Sequence, residues 1–318
     1  MKRLFRYFFA VLLLVGLSSW GFFAHMRINR FAVFSLPPGI SRFYKANIQY
    51  LSEHAVDADK RRYADTAEAP RHYLDVESYE DNIDSIPRKW EDAVKKYGAA
   101  HLHENGILPW QIQMTYNKLV NAFKTHDSLK ILIHSAYLGH YLADAHVPLH
   151  TTQNHNGQLT KQIGIHAFWE SRLPELFANE YDYVQGRAKY INHPLKEAWR
   201  IVTNTHSLVD SVLSCERKVQ KSFASHRKFA FSKRNNLLVR QYSASYAKAY
   251  HTTMNNMVEK QMRAAIMSIA SYWYSAWIDA GQPSLESLVK IPMDTSDKKA
   301  MEETLTKYKE GKIIGREN

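Results

Sequence analysis

Five histidines and a handful of carboxylates in this chain fall into short, ordered groups that could hold metal ions. The segment His140-Tyr-Leu-Ala-Asp144-Ala-His-Val-Pro-Leu-His150 sets an imidazole and a carboxylate four residues apart. On a helix both side chains project from one face towards one point. Pro148 ends such a helix, and His150 can turn back at its C-terminal end. His166-Ala-Phe-Trp-Glu170 repeats the His/carboxylate pair. Upstream, Asp57-Ala-Asp59 is followed by Glu68-Ala-Pro-Arg-His72. Imidazole nitrogens with carboxylate oxygens are good zinc ligands. A single pair at this spacing is more often a surface contact or a core histidine with its partner, so the argument rests on the pairs occurring together.

Trp20 and His25 add a further donor group. Residues 1–19 read as a secretory signal peptide, with Lys2, Arg3 and Arg6 as a basic start, an apolar run from Tyr7 to Leu17, and then Ser18-Ser19. Cleavage after Ser19 would make Trp20 the N-terminus. Its free α-amino nitrogen and its own carbonyl oxygen can chelate a metal as a five-membered ring, with the His25 imidazole in reach. An uncleaved anchor is the alternative. Leu17 stands where a small residue is preferred, and the apolar stretch continues to Ala24. Against an anchor, Phe8 to Ala24 is slightly short for a span and is interrupted by Ser18 and Ser19.

The elements that must position these residues are helices. Alternating apolar/polar runs are few, and helical periodicity places helices near 40–54, 76–97, 108–125, 128–148, 162–179, 193–223 and 234–280. Pro109 suits a first helical turn. The stripe Met254, Met257, Met262, Ile266, Ile269, Trp273 and Trp277 reads as core. No linker interrupts residues 45–290, so the expectation is an all-α fold with one multi-helix domain over 20–293 and a polar, loosely held tail over 294–318. The net charge of +11 would fall to +8 on loss of the leader's three cations. A basic surface suits polyanions such as nucleic acid or anionic headgroups, or is simply solvated. Cys215 is the only cysteine, which excludes an intrachain disulfide, and it is not placed in a lipobox.

The joint order Trp-x4-His, Asp-x14-His, His-x3-Asp-x5-His, His-x3-Glu resembles the zinc-dependent phospholipase C and S1/P1 nuclease superfamily, from Trp20 to about Leu173. The resemblance implies that family's all-α fold and three zinc ions per chain. Asp57, His72, His140 and Asp144 would hold one. His150, His166 and Glu170 would hold a second. The amino nitrogen and carbonyl oxygen of Trp20, with His25, would hold the third, and Asp144 would bridge two of them. Asp59 stands as the alternative to Asp57, which is preferred because fifteen residues separate it from His72, as in the nucleases. His146 is offset from the His140/Asp144 face and reads as a supporting or structural residue, and the histidines outside the ligand positions, His54, His134 and His155 among them, read as surface, core or support.

The implied activity is hydrolysis of phosphate esters by a metal-activated water, with Asp57 orienting it or accepting its proton. Lys60 would contact the phosphate as a point charge, or belong with Arg61 and Arg62 to a solvated charge run. Features divide on the substrate. Glu170 and the lack of a disulfide framework resemble the phospholipases, whereas the Asp57–His72 separation and Tyr73, as an aromatic beside a base site, lean to the nucleases. Tyr73 could equally be buried packing. The expected partners are a phospholipid headgroup or single-stranded nucleic acid, with no obligate protein partner, and the expected location is secreted or periplasmic. Two other classes remain: a membrane-tethered helical protein whose metal is structural, and a basic nucleic-acid-binding protein without chemistry.

Overall fold

The computed structural model describes residues 21–234, 237–286, 288 and 295–310. The leader expected over 1–19, and Trp20 with it, lie outside them.

The element from which the rest is built is the helix Ser128–Asp144. Its first turn is capped by the Asp127 carboxylate, which accepts from the Lys130 backbone N–H at 3.0 Å. Downstream, Val147 is extended and Pro148 opens a separate 3-10 turn, Pro148–Thr151, so the polypeptide doubles back at the helix's C-terminal end. Leu108–Lys124, with Pro109 in its first turn, lies antiparallel beside it. Met257–Asp279 covers both helices, and Trp273 Nε1 donates to the Ser135 carbonyl at 3.0 Å where it meets 128–144. Trp110, Phe123, Tyr141 and Trp273 are buried between these layers. Removing such large apolar side chains from water is the main drive for the assembly. Met254, Met262, Ile266, Ile269 and Trp273 are buried as the stripe predicts, with Met257 and Trp277 half-buried at its edges.

Phe22–Ala32 fills the remaining side of 128–144. Its close approach depends on Gly139. A Cβ there would sit 2.1 Å from Asn29 Oδ1, while Asn29 Nδ2 donates to the carbonyls of Leu51 and Ala136. Residues Phe22 to Ala24, which would extend the apolar stretch of an uncleaved anchor, therefore open a helix of the folded domain. No helix among the described residues is long and apolar enough to cross a membrane.

The all-α expectation holds, with departures where short-range signals outweigh periodicity. The helix expected over 234–280 is instead a β-hairpin and two helices. Phe229–Arg234 pairs antiparallel with Leu237–Tyr242, and Ala244–Thr253 is broken from Met257–Asp279 at Asn255 and Asn256, with φ of 51° and 59°. Asparagine tolerates this left-handed geometry, so the pair acts as a stop that the apolar stripe hides. The expected 193–223 helix divides into Pro194–His206 and Val209–Ser222, and 40–54 into Pro38–Ala46 and Ile48–Glu53. Within 76–97 only Val76–Tyr79 and Trp90–Tyr97 are α-helical. In the expected tail, Thr295–Glu310 forms a helix against Asp57–Arg61, with the Tyr308 ring 5.1 Å from that of Tyr63 and 6.0 Å from that of Phe22.

Candidate metal centre

Six segments deliver the donor atoms, with His140 and Asp144 on the 128–144 helix and Asp59 on Asp57–Arg61. The 22–32 helix brings His25 over the C-terminal half of 128–144, where its ring stacks on that of His140 at 4.1 Å. The turn Ala69–His72 supplies His72, the turn after Pro148 supplies His150, and His166 and Glu170 come from a short segment beginning at Ile165. That last segment is wound as a π-helix over Phe168–Arg172. Pro174 has no N–H to donate to the Glu170 carbonyl and its ring would crowd it, which accounts for the wider turn at this position. Glu170 nonetheless faces His166, with Oε2 2.9 Å from Nε2.

Among the described residues three donor groups have all their ligand atoms within 4.8 Å of one another: His25, His140 and Asp144; Asp59, His72 and His140; and His150, His166 and Glu170. The two central carboxylates join them. Asp144 Oδ2 lies 3.0 Å from His72 Nδ1 and 3.2 Å from His140 Nε2, while Oδ1 lies 3.4 Å from His25 Nε2 and 3.7 Å from His150 Nδ1. Glu170 Oε1 lies 3.2 Å from His25 Nε2, and Oε2 3.3 Å from His150 Nε2. The backbone fixes two of the rings. The Ala55 carbonyl accepts from His140 Nδ1 at 2.8 Å, and the His72 carbonyl accepts from His150 Nδ1 at 2.7 Å, leaving each Nε2 aimed at the centre.

The electrostatics are those of a site built for cations. Asp144 is 1 % exposed and closes its helix, where the backbone dipole disfavours a negative charge. Burial alone would raise its pKa, yet His140 and His150 hold it well below the usual carboxylate range. Glu170 is held low in the same way by His150, His166 and His25 against the effect of burial. In return, Asp144 and Asp59 lift His140 to about 10 and Asp144 and Glu170 lift His150 to about 9, although burial pushes both down. A divalent cation would take the place of those protons, and this N/O donor set suits zinc.

Two sequence expectations need correction. The carboxylate that joins His72 and His140 is Asp59, with Oδ1 3.8 Å and 3.7 Å from their ring nitrogens. Asp57 is held instead by His54 Nδ1 at 2.5 Å and by Lys60 Nζ at 2.7 Å. The reason is the short helix Asp57–Arg61, which points residues two apart in different directions. Lys60 therefore neutralises Asp57 on the wall of a separate cavity of about 640 Å³, lined also by His54, Arg61, Tyr137 and Leu305, and is not turned to the donor cluster. Asp59→Ala is expected to lower the zinc content by one ion per chain and Asp57→Ala to leave it unchanged. Elemental analysis of the two purified variants decides, and the reverse result would return the ligand role to Asp57.

Tyr73 is 6 % exposed and its hydroxyl donates to the Glu104 carbonyl at 3.0 Å. It borders a groove with His103 and His155 but is too buried to offer its ring to a base. His146 lies buried with Nε2 3.0 Å from Ser268 Oγ, outside the three donor groups. Glu68 was not singled out in the sequence. It is fully buried, pairs with Arg61 at 3.0 Å and Arg71 at 2.5 Å, and lies 3.5 Å from the outer nitrogen of His72. Burial would raise its pKa, but His72, Arg61 and Arg71 bring it to about 2. An ionised carboxylate behind a metal-facing imidazole orients the ring and raises its basicity. Its i, i+4 spacing from His72 was the available signal.

The all-α scaffold thus gathers buried histidines and carboxylates into candidate metal-binding groups at the end of one central helix. The family model for zinc-dependent phospholipase C matches residues 24–269, and the chain belongs to that family. No curated protein matches the chain at a significant level.

Proposed function

We propose that the chain is a zinc-dependent phospholipase C that holds three zinc ions and cleaves the phosphodiester of a phospholipid headgroup. The reading rests on one observation above others: Asp144 and Glu170 each turn their two oxygens to different donor groups. Such bridging carboxylates suit a cluster of ions better than one closed structural site, which favours this reading over a tethered protein with structural metal. Asp59, His72, His140 and Asp144 would hold one ion, His150, His166 and Glu170 a second, and Trp20, His25 and Asp144 the third. Gly21 supports the last assignment, because a Cβ at that residue would lie 3.5 Å from Glu170 Oε1. The backbone at Gly21 thus runs beside the cluster. Removal of residues 1–19 on export would free the Trp20 amine.

When bound, zinc supplies Lewis-acid neutralisation of the phosphoryl oxygens and activates water for in-line displacement. The chain's residues do the rest. Asp144 and Glu170 fix the spacing of the centre, the Ala55 and His72 carbonyls lock the imidazoles of His140 and His150, and Asp59, 19 % exposed at its side chain, is the carboxylate placed to accept a proton on the open side. Two features that leaned towards a nuclease have lost their force. Thirteen residues, not fifteen, separate the carboxylate that faces His72 from it, and Tyr73 is packed.

The test sets phosphatidylcholine and single-stranded RNA side by side, with zinc-loaded protein beginning at Trp20 and a chelator control. Release of phosphorylated headgroup that the chelator stops is the expected result. Chelator-sensitive release of 5′-nucleotides with no headgroup release would replace the phospholipase by a nuclease.

A further inference from the structure

The β-hairpin has no counterpart in the helical pattern of the sequence, and its outer part carries large apolar side chains that stand exposed. Directly paired residues of an antiparallel ladder share a face. Phe229 and Tyr242, Phe231 and Arg240, and Lys233 and Leu238 therefore lie on one side. At the base this side is anchored to the domain. The Tyr242 ring stacks on Phe168 at 3.8 Å, inside the segment that carries His166 and Glu170, and its hydroxyl meets the Ile163 carbonyl at 3.5 Å. Further out the same side leaves the domain, and Phe231 and Leu238 are 67 % and 72 % exposed. Beside the anchor, Leu159 and Ile163 are each 64 % exposed. Four of the eight large apolar side chains left exposed among the described residues thus belong to the hairpin and the loop beneath it.

The exposed charges among this apolar set carry one sign, since the Glu216 carboxylate that accepts from Gln162 beneath the loop is fully buried. Lys161, Lys233 and Arg240 are exposed between the apolar residues, and the Arg240 guanidinium lies over the Phe229 ring at 3.8 Å. From Arg217 to Val258 the chain has nine Lys or Arg and no Asp or Glu, and from Ala145 to Trp169 it again has no carboxylate. Apolar tips standing among cations match the boundary of an anionic bilayer, where acyl chains and headgroup phosphates meet. Single-stranded nucleic acid would also meet the cations, but of the four exposed apolar side chains only Phe231 has an aromatic face on which a base could stack, and Leu159, Ile163 and Leu238 have none.

We propose that the paired strands Phe229–Arg234 and Leu237–Tyr242 and the 159–163 loop form a membrane-docking surface for anionic lipid, which seats the metal centre against the bilayer from which the substrate is drawn. The proposal rests on the phospholipase reading for its purpose, but not for its test. Phe231 and Leu238 are exposed and away from the donor groups, so Phe231→Ser with Leu238→Ser leaves folding and metal content intact.

The measurement is flotation of the zinc-loaded chain with vesicles of phosphatidylcholine, with and without phosphatidylglycerol, beside turnover of a water-soluble monomeric phosphodiester. The double variant is expected to lose roughly tenfold to a hundredfold in partition onto phosphatidylglycerol vesicles, the scale set by two partly inserted apolar side chains. Turnover of the soluble ester should stay unchanged. Lys233→Glu with Arg240→Glu should lower partition onto the anionic vesicles and not onto neutral ones. Equal partition of wild type and the Ser variant, equal losses on soluble ester and vesicles, or loss of single-stranded RNA retention in place of vesicle binding would each overturn the proposal. If wild type floats through its hairpin yet hydrolyses no phospholipid, docking stands and the phospholipase reading fails.

Discussion

Asp144→Ala is expected to lower turnover by about three orders of magnitude and to remove at least one zinc ion per chain while the chain stays folded. The carboxylate is the residue on which the centre converges, since His72 and His140 approach one of its oxygens and His25 and His150 the other. Alanine removes the bridge and leaves the imidazoles without a shared anionic partner. A metal in such a site supplies several kcal/mol of transition-state stabilisation, and about 4 kcal/mol corresponds to roughly a thousandfold in rate. The fold should survive, because the layers around Trp110, Phe123 and Trp273 do not depend on this side chain. Asp144→Asn separates shape from charge. It keeps the volume but offers only one strong acceptor oxygen, so it too should fall short on zinc. Turnover, elemental analysis and thermal melting on the same preparations check the claim. Full zinc content with undiminished turnover in Asp144→Ala would remove the basis for a bridged centre.

Much of this centre was legible because its spacing obeys helix geometry. His140 and Asp144 sit four apart on a regular helix, and the chain reversal that returns His150 is announced by Pro148. His166 and Glu170 carry the same spacing, although the π-helical turn between them was not readable from periodicity. What failed was the choice between neighbours. Asp57 and Asp59 lie in one short helix, and sequence separation from His72 says nothing about which of them the helix turns inward. Composition also gave no warning that Lys60 would be spent on Asp57. The hairpin was missed for a related reason. Leu238 and Val239 are apolar residues that a helical window absorbs as readily as a strand does, and nearly all of the first strand, Phe229–Arg234, fell between two expected helices, while the break that mattered, Asn255-Asn256, carries a backbone signal and no hydrophobic one. Gly139 was invisible as a determinant until Asn29 lay against it.

A single added residue before Trp20 is expected to be as damaging as a lost ligand. In protein beginning at Trp20 the α-amino group has a reference pKa of about 7.7–8.0, so a nearby dication displaces its proton readily. Extending the chain by Ser19 turns that amine into an amide, whose nitrogen has no available lone pair, and the proposed five-membered chelate with the Trp20 carbonyl could not form. His25 cannot compensate alone, because its Nε2 is already shared between Asp144 and Glu170. The space is also limited, since the backbone at Gly21 runs beside Glu170 and Ser171. The Ser19-extended protein should therefore bind one zinc fewer, and its turnover should drop roughly a hundredfold or more, in line with loss of several kcal/mol of metal stabilisation. Intact mass establishes the two N-termini, and zinc content and turnover are then compared. Equal zinc and equal turnover would confine the metal ligands to side chains. A deficit in the extended form, repaired by proteolytic removal of Ser19, would make export itself the activating step, because the leader and the third zinc would then compete for one nitrogen.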